Sequence, residues 1–338
     1  MDIQLILLIV GLILAFLMAF NIGGNDACNP VSPAIGAGAI TLRRAFVLFG
    51  IFTILGASLQ GFMVMKTIGS GIVPQIDIIG AIIIVITAIV WIFLATMLGM
   101  NISTGHSLIA AVIGYGIVQY SISGLNVAVI QSIIISWITS PLSALLLAFI
   151  IFKFISSYIS KHQNDVQKLE RIFKYALIAT LCFASYSFGA NDVSHATGVY
   201  IKITADVLGA PDTIVMLFLS IFGAVGMVLG GLLIGRKVIE TMAFRVTNLD
   251  LITALSASLA NAIVVYLFVT VPYILIGYGL PISSSYAVVG AIVGAGMARS
   301  MKSVSKKTTL TLIGYWILTI PVCISICAGL YLLVGYIF

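Results

Sequence analysis

The chain has 338 residues, 61% of them hydrophobic and only 8% charged, with a formal net charge of +6 and four cysteines. No soluble core could hide that much apolar surface, so the composition is that of an all-α polytopic membrane protein. The basic excess is split among the gaps between apolar runs, which argues against a nucleic-acid interface. No G-x-x-x-x-G-K-[ST] fingerprint is present, which argues against direct coupling to ATP.

A helix needs about 20 apolar residues to cross the hydrocarbon, and ten stretches approach that length: 3–22, 44–66, 77–99, 103–120, 127–152, 172–190, 212–235, 250–276, 283–299 and 308–338. The first follows Asp2 rather than a basic segment and has no small-residue cleavage site, so it reads as a retained span. Two further stretches, 25–41 and 191–206, are rich in small residues and too short or too polar to span. They are expected to be half-helices or re-entrant segments, tolerated at membrane depth only where protein or water covers the backbone. Between the halves 1–152 and 172–338, the basic stretch 153–171 reads as an amphipathic cytoplasmic linker, with His162 solvated. Cys28, Cys182, Cys323 and Cys327 lack zinc-ligand spacing and read as packing residues.

Lys and Arg gather in cytoplasmic loops. With ten crossings and both termini outside, the inner side holds Arg43 and Arg44; Lys153, Lys161, Lys168, Arg171 and Lys174; Arg236, Lys237 and Arg245; and Arg299, Lys302, Lys306 and Lys307. Only Lys66 and Lys202 are left outside. The net charge is therefore a topology signal, with contact to anionic lipid as a secondary gain.

The halves repeat. Asn25-Asp26 recurs as Asn191-Asp192, 166 residues on, and Ile51-Phe52 with Gly61 recurs as Ile221-Phe222 with Gly231, 170 on. Ser103-Thr104-Gly105-His106 recurs as Ser283-Ser284-Ser285-Tyr286, and Pro141 as Pro321, both 180 on. Each half then holds about five spans and one half-segment. An odd number of crossings forces the second half in upside down, the inverted-repeat plan of many secondary transporters. Duplication for packing alone is the alternative, but the best-matched positions are polar.

Among the carboxylates, Asp26 and Asp192 fall within the apolar part. Each could cap a following helix, 27–40 or 193–205. Their duplication beside Asn favours cation coordination, with Asn21, Asn25, Asn29 and Asn191 as companions and the glycines Gly23, Gly24 and Gly189 freeing backbone carbonyls by unwinding the helix. Either Na+ or, through a buried carboxylate, H+ fits such a site. Ser103-Thr104 and Ser283-Ser284-Ser285 each open an apolar helix. They are either caps or hydroxyl and N–H donors aimed at one midplane anion, together with Asn25 and Asn191. Gly105, His106, His195 and Ser285 are further candidates. With no Lys or Arg expected at that depth, the anion must be held by neutral donors and co-bound cations. A passive channel would not need two membrane carboxylates; an intramembrane enzyme would need a nucleophile–base pair, which Ser103 with His106 could mimic.

At these residues the chain resembles the inorganic phosphate transporter family, to which sodium–phosphate symporters belong. Gly24-Asn25-Asp26 through Asn29, followed by Gly36-Ala37-Gly38-Ala39-Ile40-Thr41-Leu42-Arg43, is similar to the first copy of its duplicated signature, and Gly189-Ala190-Asn191-Asp192-Val193 to the second. The resemblance implies two inverted repeats, often a homodimer, in a plasma membrane, carrying phosphate with Na+ (favoured) or H+ and needing no cofactor. Sulfate-carrying relatives make sulfate the competing substrate. The chain departs from the pattern at Asn101, where the first serine motif has Pro; at Ser285-Tyr286, in place of Thr-His; at His195, in place of Asn; and at Thr53, where some relatives place Glu.

Overall fold

The computed structural model describes residues 3–161, 166–247 and 249–337; the expectation for His162 lies outside the described residues. Its first half is α1 (Ile3–Asp26), α2 (Cys28–Gly36), α3 (Leu42–Gln60), α4 (Phe62–Ser70), α5 (Ile78–Met97), α6 (Thr104–Tyr120) and α7 (Val127–Lys161). The second half is α8 (Val166–Thr197), α9 (Ile201–Leu208), α10 (Asp212–Ile234), α11 (Arg236–Phe244), α12 (Leu251–Ile276), α13 (Ser284–Arg299) and α14 (Lys306–Ile337). Helices dominate because in hydrocarbon every backbone N–H and C=O must find its partner within the chain.

Eight helical stretches of the described residues are long and apolar enough to span a bilayer. The expected spans 103–120 and 283–299 are also helical, as α6 and α13, but with 17 and 16 residues they are shorter. At about 1.5 Å per residue they fall short of a hydrocarbon layer of about 30 Å. Both begin at buried polar residues inside the protein. On the lipid side, α7 exposes Ile138, Leu142, Leu146 and Ile150, one every four residues, which is the apolar stripe a membrane helix turns to the acyl chains.

The two half-segments each hold a short helix, α2 and α9, but the break before them is not the expected glycine unwinding. The Asn-Asp pairs sit on helix, with no unwinding at the glycines. Ala27, between α1 and α2, has helical φ −57° and ψ −23°, and its N–H bonds the Gly23 carbonyl at 3.1 Å. Helix α8 runs through Gly189 and Asp192 to Thr197, and the change to a single 3-10 turn comes only at Gly198–Tyr200. What interrupts the ladder after α1 is proline: Pro30 and Pro33 carry no N–H, so the carbonyls of Asp26 and Asn29 lose their usual i+4 donors.

The glycines serve contact instead. A Cβ on Gly23 would lie 1.8 Å from the Met227 carbonyl oxygen, and one on Gly189 would lie 2.1 Å from that of Thr53. They let α1 and α8 press against α10 and α3 at backbone distance. The pairing crosses the halves: α1 packs on α10 and α8 on α3, while α6 packs on α14 and α13 on α7. The stretch 153–171, expected as an amphipathic connector, is largely taken up by the end of α7, to Lys161, and the start of α8, from Val166. All four cysteines are free thiols; Cys28, Cys323 and Cys327 are buried and Cys182 is half-buried.

Candidate functional site

The elements α1, α8, α6 and α13 bring both duplicated motifs into one buried polar cluster. Asp26 and Asp192 are each 1% exposed. Neither caps a helix. The Thr104 hydroxyl donates to Asp26 Oδ2 at 2.6 Å, the Ser284 hydroxyl donates to Asp192 Oδ1 at 2.9 Å, and Asn191 Nδ2 donates to Asp192 Oδ2 at 3.1 Å. Ser285 Oγ lies 2.9 Å from each of three acceptors: Asp26 Oδ1, Asn101 Oδ1 and the Ile102 carbonyl. A hydroxyl carries one proton, so at most one of these is a hydrogen bond at a time. The other contacts are oxygen facing oxygen, an arrangement that a small cation relieves.

The capping reading does hold for two hydroxyls. Ser103 Oγ accepts from the His106 N–H and Ser283 Oγ from the Tyr286 N–H, both at 3.2 Å, which opens α6 and α13 in the manner of N-cap serines. The N–H groups of Thr104 and Gly105, and of Ser284 and Ser285, then remain in the first helical turns without an intrahelical acceptor. They carry the positive ends of two helix dipoles into the cluster.

The asparagines mostly position these ends. Asn25 Nδ2 donates to Thr96 Oγ1 and the Met100 carbonyl, both at 2.9 Å, and Asn25 Oδ1 accepts from the Ile102 N–H at 2.9 Å. Asn191 does the same to the other half: Nδ2 donates to the Ile282 carbonyl at 3.0 Å, and Oδ1 accepts from the Ile282 N–H at 3.3 Å. Asn29 Nδ2 donates to Ser284 Oγ at 3.0 Å, and its Oδ1 accepts from Asn101 Nδ2 at 3.0 Å. Asn21 stands apart, donating to the Leu17 carbonyl one turn back at 2.8 Å.

The two histidines are buried on one side of the cluster, and none of their ring nitrogens has a hydrogen-bond partner. His106 lies against Trp137, centroids 3.5 Å apart, and against Tyr286 at 4.4 Å. Ser103 Oγ meets the backbone of His106 and not its ring, so these two do not form a nucleophile–base pair. His195 Nδ1 is 3.6 Å from Asp192 Oδ1, and its ring lies on Gly105, where a Cβ would come within 2.8 Å of Cε1.

Three participants were not legible as site residues. Asn101 is marked in the sequence by the break Gly99-Met100-Asn101 before Ser103 and by its departure from proline, not as a ligand, yet it links Asn29 to Ser285. Thr96 holds Asn25. Trp316 donates from Nε1 to the Asn101 carbonyl at 3.0 Å and stacks on Tyr286 at 3.9 Å.

The chain is similar to known proteins over most of its length. A family model described as "Phosphate transporter family" matches residues 22–327. A relative from Pyrococcus furiosus, named "Putative phosphate permease", is 28% identical, the match covering 93% of this chain and 93% of that one. One from Chlamydia pneumoniae, of like name, is 28% identical over 93% of this chain and 95% of its own. Among solved structures, one described as "The sodium-dependent phosphate transporter" is 29% identical with a TM-score of 0.88, covering 98% of this chain and 100% of that chain.

Proposed function

The chain belongs to the phosphate transporter family, and we propose that it carries inorganic phosphate across a membrane by symport with Na+, its two halves being inverted repeats that rock about the buried cluster. One observation carries the reading above the others: the N-termini of α6 and α13 meet beside two carboxylates with no Lys or Arg among the side chains bonded to them. Four N–H groups without intrahelical acceptors offer an anion neutral donors. The carboxylates repel that anion unless a cation sits between them, so anion and cation are held together or not at all.

Symmetry of the contacts supports the inverted-repeat part. Thr104 meets Asp26 as Ser284 meets Asp192, and Asn25 holds the Ile102 N–H as Asn191 holds that of Ile282. The sodium dependence in the name of the solved neighbour supports Na+ over H+. The hydroxyls of Thr104 and Ser284, now turned to the carboxylates, are free to turn to the anion once a cation neutralises Asp26.

The test is uptake of labelled phosphate and sulfate into proteoliposomes with Na+ and pH gradients imposed separately. An inward Na+ gradient is expected to drive phosphate above equilibrium, with little sulfate uptake. Accumulation that follows only the pH gradient overturns Na+ as the coupling ion, and sulfate-only uptake overturns the substrate.

A further inference from the structure

The two Asp positions look equivalent in sequence, yet their surroundings do not match. Around Ser285 Oγ the oxygens of Asp26, Asn101 and Ile102 converge at 2.9 Å each, with Asn29 bonded to Asn101 and to Ser284. The repeat offsets give the mirror of this set. Asp26 and Asn29 map, 166 residues on, to Asp192 and His195; Asn101 and Ile102 map, 180 on, to Pro281 and Ile282; and Ser285 maps, 180 back, to Gly105.

Proline and glycine supply no side-chain oxygen, so the mirror set loses those of Asn101 and Ser285, and the amide of Asn29 becomes an imidazole. Of the remaining oxygens, the Ile282 carbonyl already accepts from Asn191 Nδ2 at 3.0 Å. Asp192 accepts from Ser284 Oγ at 2.9 Å as Asp26 accepts from Thr104 Oγ1 at 2.6 Å. It also accepts from Asn191 Nδ2 at 3.1 Å and lies 3.6 Å from His195 Nδ1, whereas Asn25 Nδ2 is turned away from Asp26 to Thr96 and Met100. The ring of His195 fills the volume that a side chain at position 105 would take, since a Cβ there meets its Cε1 at 2.8 Å and Nε2 at 3.0 Å. On the Asp26 side three acceptor oxygens converge on Ser285 Oγ, with Thr104 Oγ1 on Asp26 and Asn29 Nδ2 3.4 Å from Ser285 Oγ as the neighbouring donors. On the Asp192 side an amide and an imidazole stand where those oxygens would be.

We propose that this chain holds a single Na+ in the cluster, at the oxygen set of Asp26, Asn101, Ile102 and Ser285, and that His195 on Gly105 occupies the mirror position in place of a second. The inference rests on the Na+ coupling proposed above. Its consequence is a shallower dependence of transport on Na+ than two equivalent sites would give, because a Hill coefficient is bounded by the number of sites.

The experiment measures initial phosphate uptake against external Na+ in proteoliposomes, together with the ratio of labelled sodium to labelled phosphate entering. The wild type is expected to show a Hill coefficient of one. G105S alone is expected to lose most activity by collision with His195, and the G105S/H195N pair to regain it with a Hill coefficient rising towards two. The flux ratio needs no variant, so a failure of G105S/H195N to fold leaves the wild-type measurement to decide. A wild-type Hill coefficient of two, a doubled sodium flux, or an active G105S/H195N protein that stays at one overturns the single-site assignment while leaving Na+ coupling intact. Uptake blind to Na+ overturns the coupling itself, and the assignment with it.

Discussion

Asp26 and Asp192 differ in what a substitution should do. Asn in place of Asp keeps the shape of the side chain and removes its charge, so both variants are expected to fold and elute as the wild type does. At Asp26 the lost charge belongs to the oxygen set around Ser285, and a hydrogen bond or contact to a charged group is worth about 1.5–3 kcal/mol. Asp26→Asn should therefore raise the Na+ concentration for half-maximal uptake about tenfold or more. Asp192→Asn should instead raise KM for phosphate with the Na+ dependence little changed, since Asp192 orients Ser284 at the mouth of α13. Titrating uptake with each ion separately checks both, and a shared loss of Na+ affinity would contradict the asymmetry. The duplicated Asn-Asp pair was legible because a carboxylate inside an apolar run has few bland explanations. Asn101 was not, because its partner Asn29 is 72 residues away and Gly99-Met100-Asn101 reads locally as any turn.

Helices with glycine at the contact behave differently from helices with glycine at the lipid. Gly23 and Gly189 sit where a Cβ would overlap carbonyl oxygens of α10 and α3, and backbone cannot move aside as a flexible side-chain end can. Gly23→Ala and Gly189→Ala should each destabilise the protein by about 1–3 kcal/mol, the usual cost of overpacking, or more. Gly314 and Gly329, both in α14, have nothing within 4 Å of the point where a Cβ would stand, and Ala there should hold or raise stability by up to about 1 kcal/mol through helix propensity. Thermal unfolding in detergent of the four single variants reads the contrast; equal effects would mean that the glycines act as hinges. The sequence could not separate these uses, since Gly23-Gly24 beside Asn-Asp looks the same whether it bends a helix or admits a neighbour. The deciding fact is the carbonyl of Met227, which lies in the other half of the chain. Eight of the ten expected spans were legible from apolar length, while α6 and α13 are shorter than a crossing needs. The inner starts of α6 and α13 were legible from their serines, whereas the continuity of α8 past Asp192 was not.

Basic residues from distant parts of the chain gather in two separate cavities. Lys66 and Lys202, the two basic residues assigned outside by the loop count, line one cavity of about 640 Å³ with Gln75 and Asp212. Arg44, Arg171 and Lys174, drawn from two loops assigned inside, line another of about 900 Å³. The Tyr120 hydroxyl donates to the Gln75 carbonyl at 2.8 Å, and the Tyr331 hydroxyl to Asp77 at 3.2 Å, which brings the last turns of α6 and α14 to the Lys66 end. Tyr200 lies against Gly11 of α1, and its chain neighbour Val199 lines the same cavity as Lys66. Basic residues assigned to the same side thus share a cavity, although their loops are far apart in sequence, which is the grouping expected of a bilayer with an anionic inner leaflet. On a background with Cys182 replaced by Ser, Lys66→Cys and Lys202→Cys should react with a membrane-impermeant maleimide on intact cells. Arg44→Cys and Lys174→Cys should react only after permeabilisation. Because each pair samples both halves of the chain, a mixed result within either pair would break the inverted arrangement. A clean exchange between pairs would keep the repeat and turn the whole molecule over in the membrane.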